Sequence, residues 1–369
     1  VETSKVSVRH LRRMTDDTGL LEHALGLLPR RKEGYTTDDN ARALWTCVEW
    51  MKLSPDMAGE WLELADTYLA FLLWMQREDG SFHNNVAYDR RLEQEEPSDD
   101  CFGRTVWAAA CAWLGLADDD RRMAAESLLI RSAQQVENLK YPRGWAYTLA
   151  AYSAILRDPL RQPVQGSRPD IEQRLQLRER VEWLEKKLLE QYKRHAAQGW
   201  RWFESSMTYG NGVLPWSLFL SYQVTGSEEA RQAARESLDM LRKVMTSPEG
   251  RVRPVGNEAW ASADHTSQWD QQPLEVMKLA LACREAYLVE WKNEDADMVK
   301  RCREWFHGSN DCSVRIADIH EGSCCDGLTR SGPNRNRGAE STLSYLLTEA
   351  FYNETILLGR EREAQVYSR

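Results

Sequence analysis

The sequence predicts an all-α fold, an (α/α)6 toroid in which six helical hairpins close into a ring with few short strands in its loops. Three observations carry this. A loop rich in Gly, Trp, Tyr, Asp and Asn leads six times into a strongly apolar helical run, near Asp39, Cys101, Trp145, Asn211, Gln271 and Gly338. The helix that follows each of the first five runs has a different character, amphipathic with a single apolar stripe. Helices buried on most sides therefore alternate with helices that keep one wet face, as an inner ring wrapped by an outer ring requires.

Each element follows from its local pattern. Residues 4–14 form an amphipathic stretch. The first inner helix covers 39–53 and its outer partner 56–76, where Met57, Trp61, Leu64, Tyr68, Phe71 and Met75 step by four and three along one face. VWAAACAWLGLA (106–117) is apolar nearly all round and places an inner helix over 101–116, with an outer one over 119–138. WAYTLAAYSAIL gives 145–156, and Leu177, Val181, Leu184, Leu188 and Tyr192 set the stripe of an outer helix over 170–195. The next inner helix, 213–224, carries Pro215 in its first turn, where a missing N–H costs little. Outer 227–246, inner 271–291, outer 294–307 and inner 338–354 complete the series. Six inner helices face five outer ones, so the stretch 4–14 is expected to fill the sixth outer place beside the last inner helix and close the ring. Short pieces at 80–83 and 251–254 read as small hairpins. The segment 157–170 holds three prolines between two helices of one repeat, which reads as a long surface loop within a single domain spanning 1–369.

Composition narrows the function. The 369 residues carry 48 Lys+Arg against 57 Asp+Glu, a net charge of -9, and 42% hydrophobic residues, enough for a large core. No apolar run approaches the roughly 18 residues of a membrane helix, and no basic patch stands ready to neutralise phosphates. Neither a membrane nor a nucleic acid is expected as partner. The chain starts at Val1 without a signal-like segment, and its eight cysteines form no C-x-x-C pair and mostly sit in apolar runs. Reduced thiols and a cytoplasmic setting follow as expectations. Tryptophan, at 15, outnumbers tyrosine at 13 and phenylalanine at 7; its flat faces pack on sugar rings, although they also fill cores. No G-x-G-x-x-G, P-loop or H-E-x-x-H occurs, so no cofactor is expected. No metal is expected either, since Cys324-Cys325 are too close for two ordinary ligands and the acidic pairs lack D-x-D-x-D-G spacing.

In such a ring the loops before the inner helices open on one face, so polar residues far apart in sequence converge there. GYTTDDNAR (34–42) sets Asp38 and Asp39 between Tyr35 and Arg42; capping explains one aspartate, not the pair. Asp16-Asp17 and Asp99-Asp100 are further acidic pairs, the latter with Arg104 one turn on, and capping accounts for that pair. GWRWFESSMTYGNGVLP (199–215) surrounds Glu204 with Trp200, Trp202 and Tyr209, an apolar setting that raises a carboxyl pKa and suits a general acid. WASADHTSQWDQQPLE (260–275) holds His265, Trp269, Asp270, Gln271 and Gln272, and NRNRGAESTLSY (334–345) holds Asn336 and Glu340. The candidate catalytic residues are thus Asp39 with Glu204 or Asp270, and Glu340 as a fourth. Candidate substrate-binding residues are Tyr35, Asp38, Arg42, Trp202, Tyr209, His265, Trp269, Gln271, Gln272 and Asn336.

HLRRMTDDTGLLEHA, GYTTDDNARAL, WRWFESSMTYGNGVLP, DQQPLE and NRNRGAESTLSYL resemble the successive signatures of a bacterial helical-toroid domain. That domain occurs alone or appended to glycosyltransferases, and its architecture is similar to the six-hairpin glycosidases and the N-acylglucosamine 2-epimerase relatives. The matching strings span residues 10 to 347. One departure is Gly210-Asn211, where the pattern leads one to expect an Asp after Thr208-Tyr209, which counts against an acid at that point. The resemblance implies the toroid fold, a carbohydrate ligand and an association with a glycosyltransferase. Three functions are then open. A glycoside hydrolase with a carboxylate acid/base pair, acting on an oligosaccharide, ranks first. A sugar isomerase or epimerase would want histidine proton shuttles, and of seven histidines only His265, His23 and His83 fall in candidate loops. A non-catalytic glycan-binding domain partnering a glycosyltransferase would keep the tryptophans and tolerate loss of the acids.

Overall fold

The computed structural model describes residues 5–158 and 171–367. The inner helices are α2 (Thr37–Leu53), α4 (Asp99–Gly115), α6 (Pro142–Arg157), α9 (Val213–Thr225), α11 (Pro273–Glu290) and α13 (Ala339–Tyr367). Each packs on the next, and α13 returns to α2, so the ring is closed. The outer helices are α3 (Ala58–Met75), α5 (Asp119–Ser132), α8 (Leu177–His195), α10 (Glu228–Val244) and α12 (Asn293–Phe306), each against the inner helix of its own hairpin. The (α/α)6 toroid expected from the sequence is the fold of the chain.

The chemistry of the runs explains the two rings. In α4 every residue from Cys101 to Trp113 is buried, as an apolar helix with neighbours on most sides must be. In α3 only the stripe through Trp61, Leu64, Tyr68, Phe71 and Met75 and its flanks is buried. Side chains start the helices: the Thr36 hydroxyl accepts from the Asp39 amide at 3.1 Å, and Ser98, Asp118 and Ser227 cap α4, α5 and α10 in the same way.

The N-terminal stretch takes the sixth outer place beside the last inner helix as expected, but with a shorter helix. The N-terminal helix α1 (Arg9–Met14) is only six residues long and sits against α13. His10 anchors it, its Nε2 lying 2.8 Å from the Arg337 carbonyl while its amide donates to Glu321. The expected outer helix over 170–195 is interrupted at Gln176, which has φ 49° and separates the short α7 (Ile171–Leu175) from α8. The expected start of the fifth inner helix moves to Pro273, because Gln271 instead pairs with Leu328 through both backbone groups. The pieces at 80–83 and 251–254 amount to single bridges, Gln76 to Phe82 and Thr246 to Val252. Most of the expected surface loop, 159–170, lies outside the described residues.

Two-residue strand pairs tie the loops together at the mouth of the ring. Tyr35–Thr36 pairs with Asn85–Val86, and Ser206–Met207 pairs with Ala261–Ser262. The second pair joins the loops that lead into α9 and α11. Below the mouth, the axis is filled by Trp45, Trp107 and Trp216, with Trp107 edge-on to Trp216 at 4.6 Å and to Trp45 at 5.6 Å.

Candidate active site

The inner helices repeat a vertical order of side chains. On α2, Asp38, Arg42 and Trp45 follow one another at four and three residues; on α4, Asp100, Arg104 and Trp107 do the same. That spacing stacks them on one helix face, with carboxylates at the mouth, guanidiniums a turn deeper and indoles at the floor.

The carboxylates and guanidiniums form two connected chains. In the first, Arg42 donates from Nη1 to Asp39 Oδ1 at 2.7 Å and from Nη2 to Glu340 Oε2 at 3.1 Å. In the second, Arg104 pairs with Asp38 at 2.8 Å and with Asp100 at 3.7 Å. Asp100 accepts from the Tyr209 hydroxyl at 2.6 Å, and Arg143 lies 4.6 Å over the Tyr209 ring while donating twice to Glu204, at 3.2 and 3.0 Å. Glu275 on α11 is buried and accepts from the Gly210 and Asn211 amides and from Asn211 Nδ2 at 2.7 Å. Asn211, where an acid was expected, thus holds one.

Two cavities open at the mouth. One, of about 380 Å³, is lined among others by Glu22, His23, Asp38, Asp39, Arg42, Gln272, Asp326 and Glu340. The other, of about 400 Å³, is lined by Asp38, Asp100, Arg104, Tyr209, Trp260, Gln272, Glu275 and Glu340 among others. Asp38, Gln272 and Glu340 line both, so the two are neighbouring parts of one axial site.

Burial divides the carboxyls. Asp39 is 5% exposed, and desolvation raises its pKa to about 7 against the opposing pull of Arg42, with Glu340 adding to the rise. The Glu340 side chain, on the other arm of the same guanidinium, is 47% exposed. Burial likewise pushes Glu275 up, partly offset by its hydrogen bonds from Asn211 and Gly210. His23 is raised by its hydrogen bond to Glu22, whose carboxylate lies 3.2 Å from Nε2.

Of the residues singled out in the sequence, the axial site brings together Asp38, Asp39, Arg42, Tyr209, Gln272 and Glu340. The others are placed elsewhere. Tyr35 is buried and donates to Asp16 at 2.7 Å, bracing the loop before α2. Glu204 stands behind Tyr209, held by Arg143. Trp202 is fully buried with its edge against Phe203, so it is core behind a loop and offers no face to a sugar. His265 lines a separate cavity of about 480 Å³ beside α10, with Trp200 and Lys243. Trp269 packs against the core, and neither it nor Asp270 lines the axial cavities; backbone groups of both pin down the 257–258 turn. Gln271 is buried and donates to Asp311 at 2.6 Å. Asn336 accepts from the Gly26 amide at 3.1 Å and fastens the hairpin formed by Ala24–Leu25 and Leu28–Pro29.

Glu22, His23, Asp326, Arg104 and Glu275 line the site without being sequence candidates, and Asp100, expected only to cap α4, lines it too. The shared four-and-three spacing of Asp38-Arg42-Trp45 and Asp100-Arg104-Trp107 was the available signal for the second set.

No family model matches the chain, and no curated protein matches it in sequence. Solved structures do. A D-mannose isomerase aligns over 95% of this chain and 94% of its own, with a TM-score of 0.69 at 11% identity. The cellobiose 2-epimerase of Spirochaeta thermophila aligns over 93% and 92%, with 0.68 at 15%. A family 76 α-mannanase of Bacteroides thetaiotaomicron aligns over 88% of each chain, with 0.60 at 12%. The chain therefore has the (α/α)6-toroid fold found in these sugar epimerases, isomerases and glycosidases. Among the described residues no helix is long and apolar enough to cross a membrane.

Proposed function

We propose that the protein is a glycoside hydrolase that binds an oligosaccharide at the mouth of the ring, with Asp39 as general acid and Glu340 as the second carboxyl. One observation carries the reading. Asp39 and Glu340 share Arg42, yet one is buried with a pKa raised to about 7 and the other opens to the cavity. Two carboxyls whose surroundings differ in this way can divide the work, one protonating the leaving oxygen while the other activates water or attacks the sugar. This pair replaces the pairing of Asp39 with Glu204 or Asp270, since neither of those lines the axial cavities. The terminal nitrogens of Arg42 and Arg104 already face protein carboxylates, so an uncharged sugar suits the site better than a uronate. All eight cysteines are unpaired thiols, which favours a reducing, cytoplasmic setting. A glycosyltransferase is the partner class that the sequence resemblance implies.

A second reading, a sugar isomerase or epimerase, is favoured by His23, a histidine that lines the same cavity with Glu22 beside it. The deciding experiment follows sugar release from mannan-, glucan- and uronate-type oligosaccharides, interconversion of free aldoses, and glycan binding in parallel. Release of sugar from a neutral oligosaccharide supports the hydrolase. Interconversion without release supports the second reading, and tight binding without any turnover defeats both.

A further inference from the structure

Trp74 stands off the buried stripe of α3, and among the described residues it alone of the 15 tryptophans is exposed, at 40%. Its ring meets that of Phe71 edge-on, with centroids 5.9 Å apart, and forms one wall of a cavity of about 450 Å³ lined also by Asp17, Thr18, Thr67 and Arg90. Arg90 donates from Nη2 to Asp17 Oδ2 at 3.0 Å and from Nε to Thr18 Oγ1 at 3.1 Å. Its backbone is left-handed, with φ 67°, a conformation that an arginine seldom adopts and that gathers where a ligand is clamped. The acidic pair of this loop divides its work. Asp16 braces the turn, accepting from the Thr18 amide at 2.9 Å and the Tyr35 hydroxyl at 2.7 Å, while Asp17 is turned to Arg90 and the cavity.

The cavity lies at the mouth end of the ring. α3 finishes where α2 begins, since the Thr37 amide donates to the carbonyl of Asn84, just beyond α3, at 2.8 Å. A single arm reaches both sites: Asn85 lines the axial cavity and Arg90 this one, and five residues span at most about 18 Å. A pyranose ring presents an apolar C–H face and a rim of hydroxyls that both donate and accept. The indole matches the face, and Asp17, Thr18 and Arg90 match the rim. The charges of Asp17 and Arg90 cancel, so a neutral ligand suits them. We propose that this cavity is a second carbohydrate site, which holds a neutral oligosaccharide against Trp74 outside the axial site. Only the class of ligand rests on the proposed function; the chemistry at Asp39 plays no part.

The test follows the Trp74 indole N–H by nitrogen NMR in the full-length protein, the signal being assigned by its loss in Trp74→Phe, while neutral hexasaccharides of the mannan and the glucan type are added in turn. The signal should move with at least one of them and should do so equally in Asp39→Asn. Arg90→Ala keeps the indole and removes the polar rim, and should raise the concentration at half-shift by about tenfold. A signal that stays still with both sugars at about 10 mM would overturn the proposal. So would a shift that Arg90→Ala leaves unchanged, which is adventitious stacking on an exposed ring, or one lost in Asp39→Asn, which reports the axial site. A signal that moves with protein concentration alone, before any sugar is added, would mean that a second copy covers this face and would overturn it too. Binding is read without turnover, so a silent Trp74 in a protein that releases sugar, or a responsive Trp74 in one that does not, separates failure of this site from failure of the hydrolase reading.

Discussion

Asp39 and Glu340, 301 residues apart in the chain, are held on the two arms of one guanidinium, that of Arg42. The bond spans the seam where α13 meets α2, so closing the ring and assembling the site are one event. Removing the guanidinium would take away the one pull that opposes burial at Asp39 and hold its proton more firmly still.

The pH dependence of stability follows from Asp39. Folded, it keeps its proton up to about pH 7, whereas the unfolded chain releases it near the ordinary 3.8. Between those values the folded state binds more protons, so this contribution to stability is full below about pH 4 and is lost as pH rises through 7. Asp39→Asn cannot ionise. Chemical denaturation should show it gaining on the parent by on the order of 2–4 kcal/mol between pH 4 and pH 8. A gap that stays constant over that range would place the Asp39 pKa near that of an ordinary carboxyl. Hydrolysis should fall on the alkaline side, through about pH 7, as the acid loses its proton.

Trp202 and Tyr209 come from one loop and should respond oppositely. Trp202 is fully buried, so Trp202→Ala is expected to cost roughly 3–5 kcal/mol in urea denaturation. Tyr209 is 41% exposed and lines the axial site. Tyr209→Ala should leave the melting temperature nearly unchanged and weaken oligosaccharide binding by about tenfold. Equal effects of the two on binding, with neither unfolding, would return Trp202 to the sugar.

Gly212 begins α9 against the backbone of α11. A Cβ there would stand 2.0 Å from the Lys278 carbonyl oxygen, which is backbone and cannot swing aside. Gly212→Ala should therefore destabilise by about 3 kcal/mol, read from its denaturation midpoint. A variant as stable as the parent would mean that α9 and α11 are not in this close contact.

The ring was legible in the sequence because its signal is periodic. Runs such as 106–117 are apolar on every face and 57–75 on one face only, which distinguishes inner from outer helices without any tertiary knowledge. The loops were legible only in part. Asp38, Asp39 and Glu340 could be found because the loops before the inner helices open at the mouth, a position that Asp100 and Glu275 share. Gln271 and Trp202 misled, since a polar or aromatic residue in a loop can equally face inward, as Gln271 does towards Asp311 and Trp202 towards Phe203. What stayed hidden was the setting of Glu275. Its hydrogen bonds come from Gly210 and Asn211, and a contact across two repeats leaves no trace in local spacing.

The most direct test of the account is the rate of sugar release from a neutral oligosaccharide by Asp39→Asn and Glu340→Gln, set beside Asp270→Asn as a folded comparison. The amide keeps the shape and most hydrogen bonds of each carboxyl but cannot exchange its proton. General acid–base assistance is worth about 10²–10⁴ in rate, so the first two should lose that much or more while Asp270→Asn stays within several-fold of the parent. Turnover that survives both Asp39→Asn and Glu340→Gln, or that is lost to the same extent in Asp270→Asn, would contradict the assignment of the axial pair.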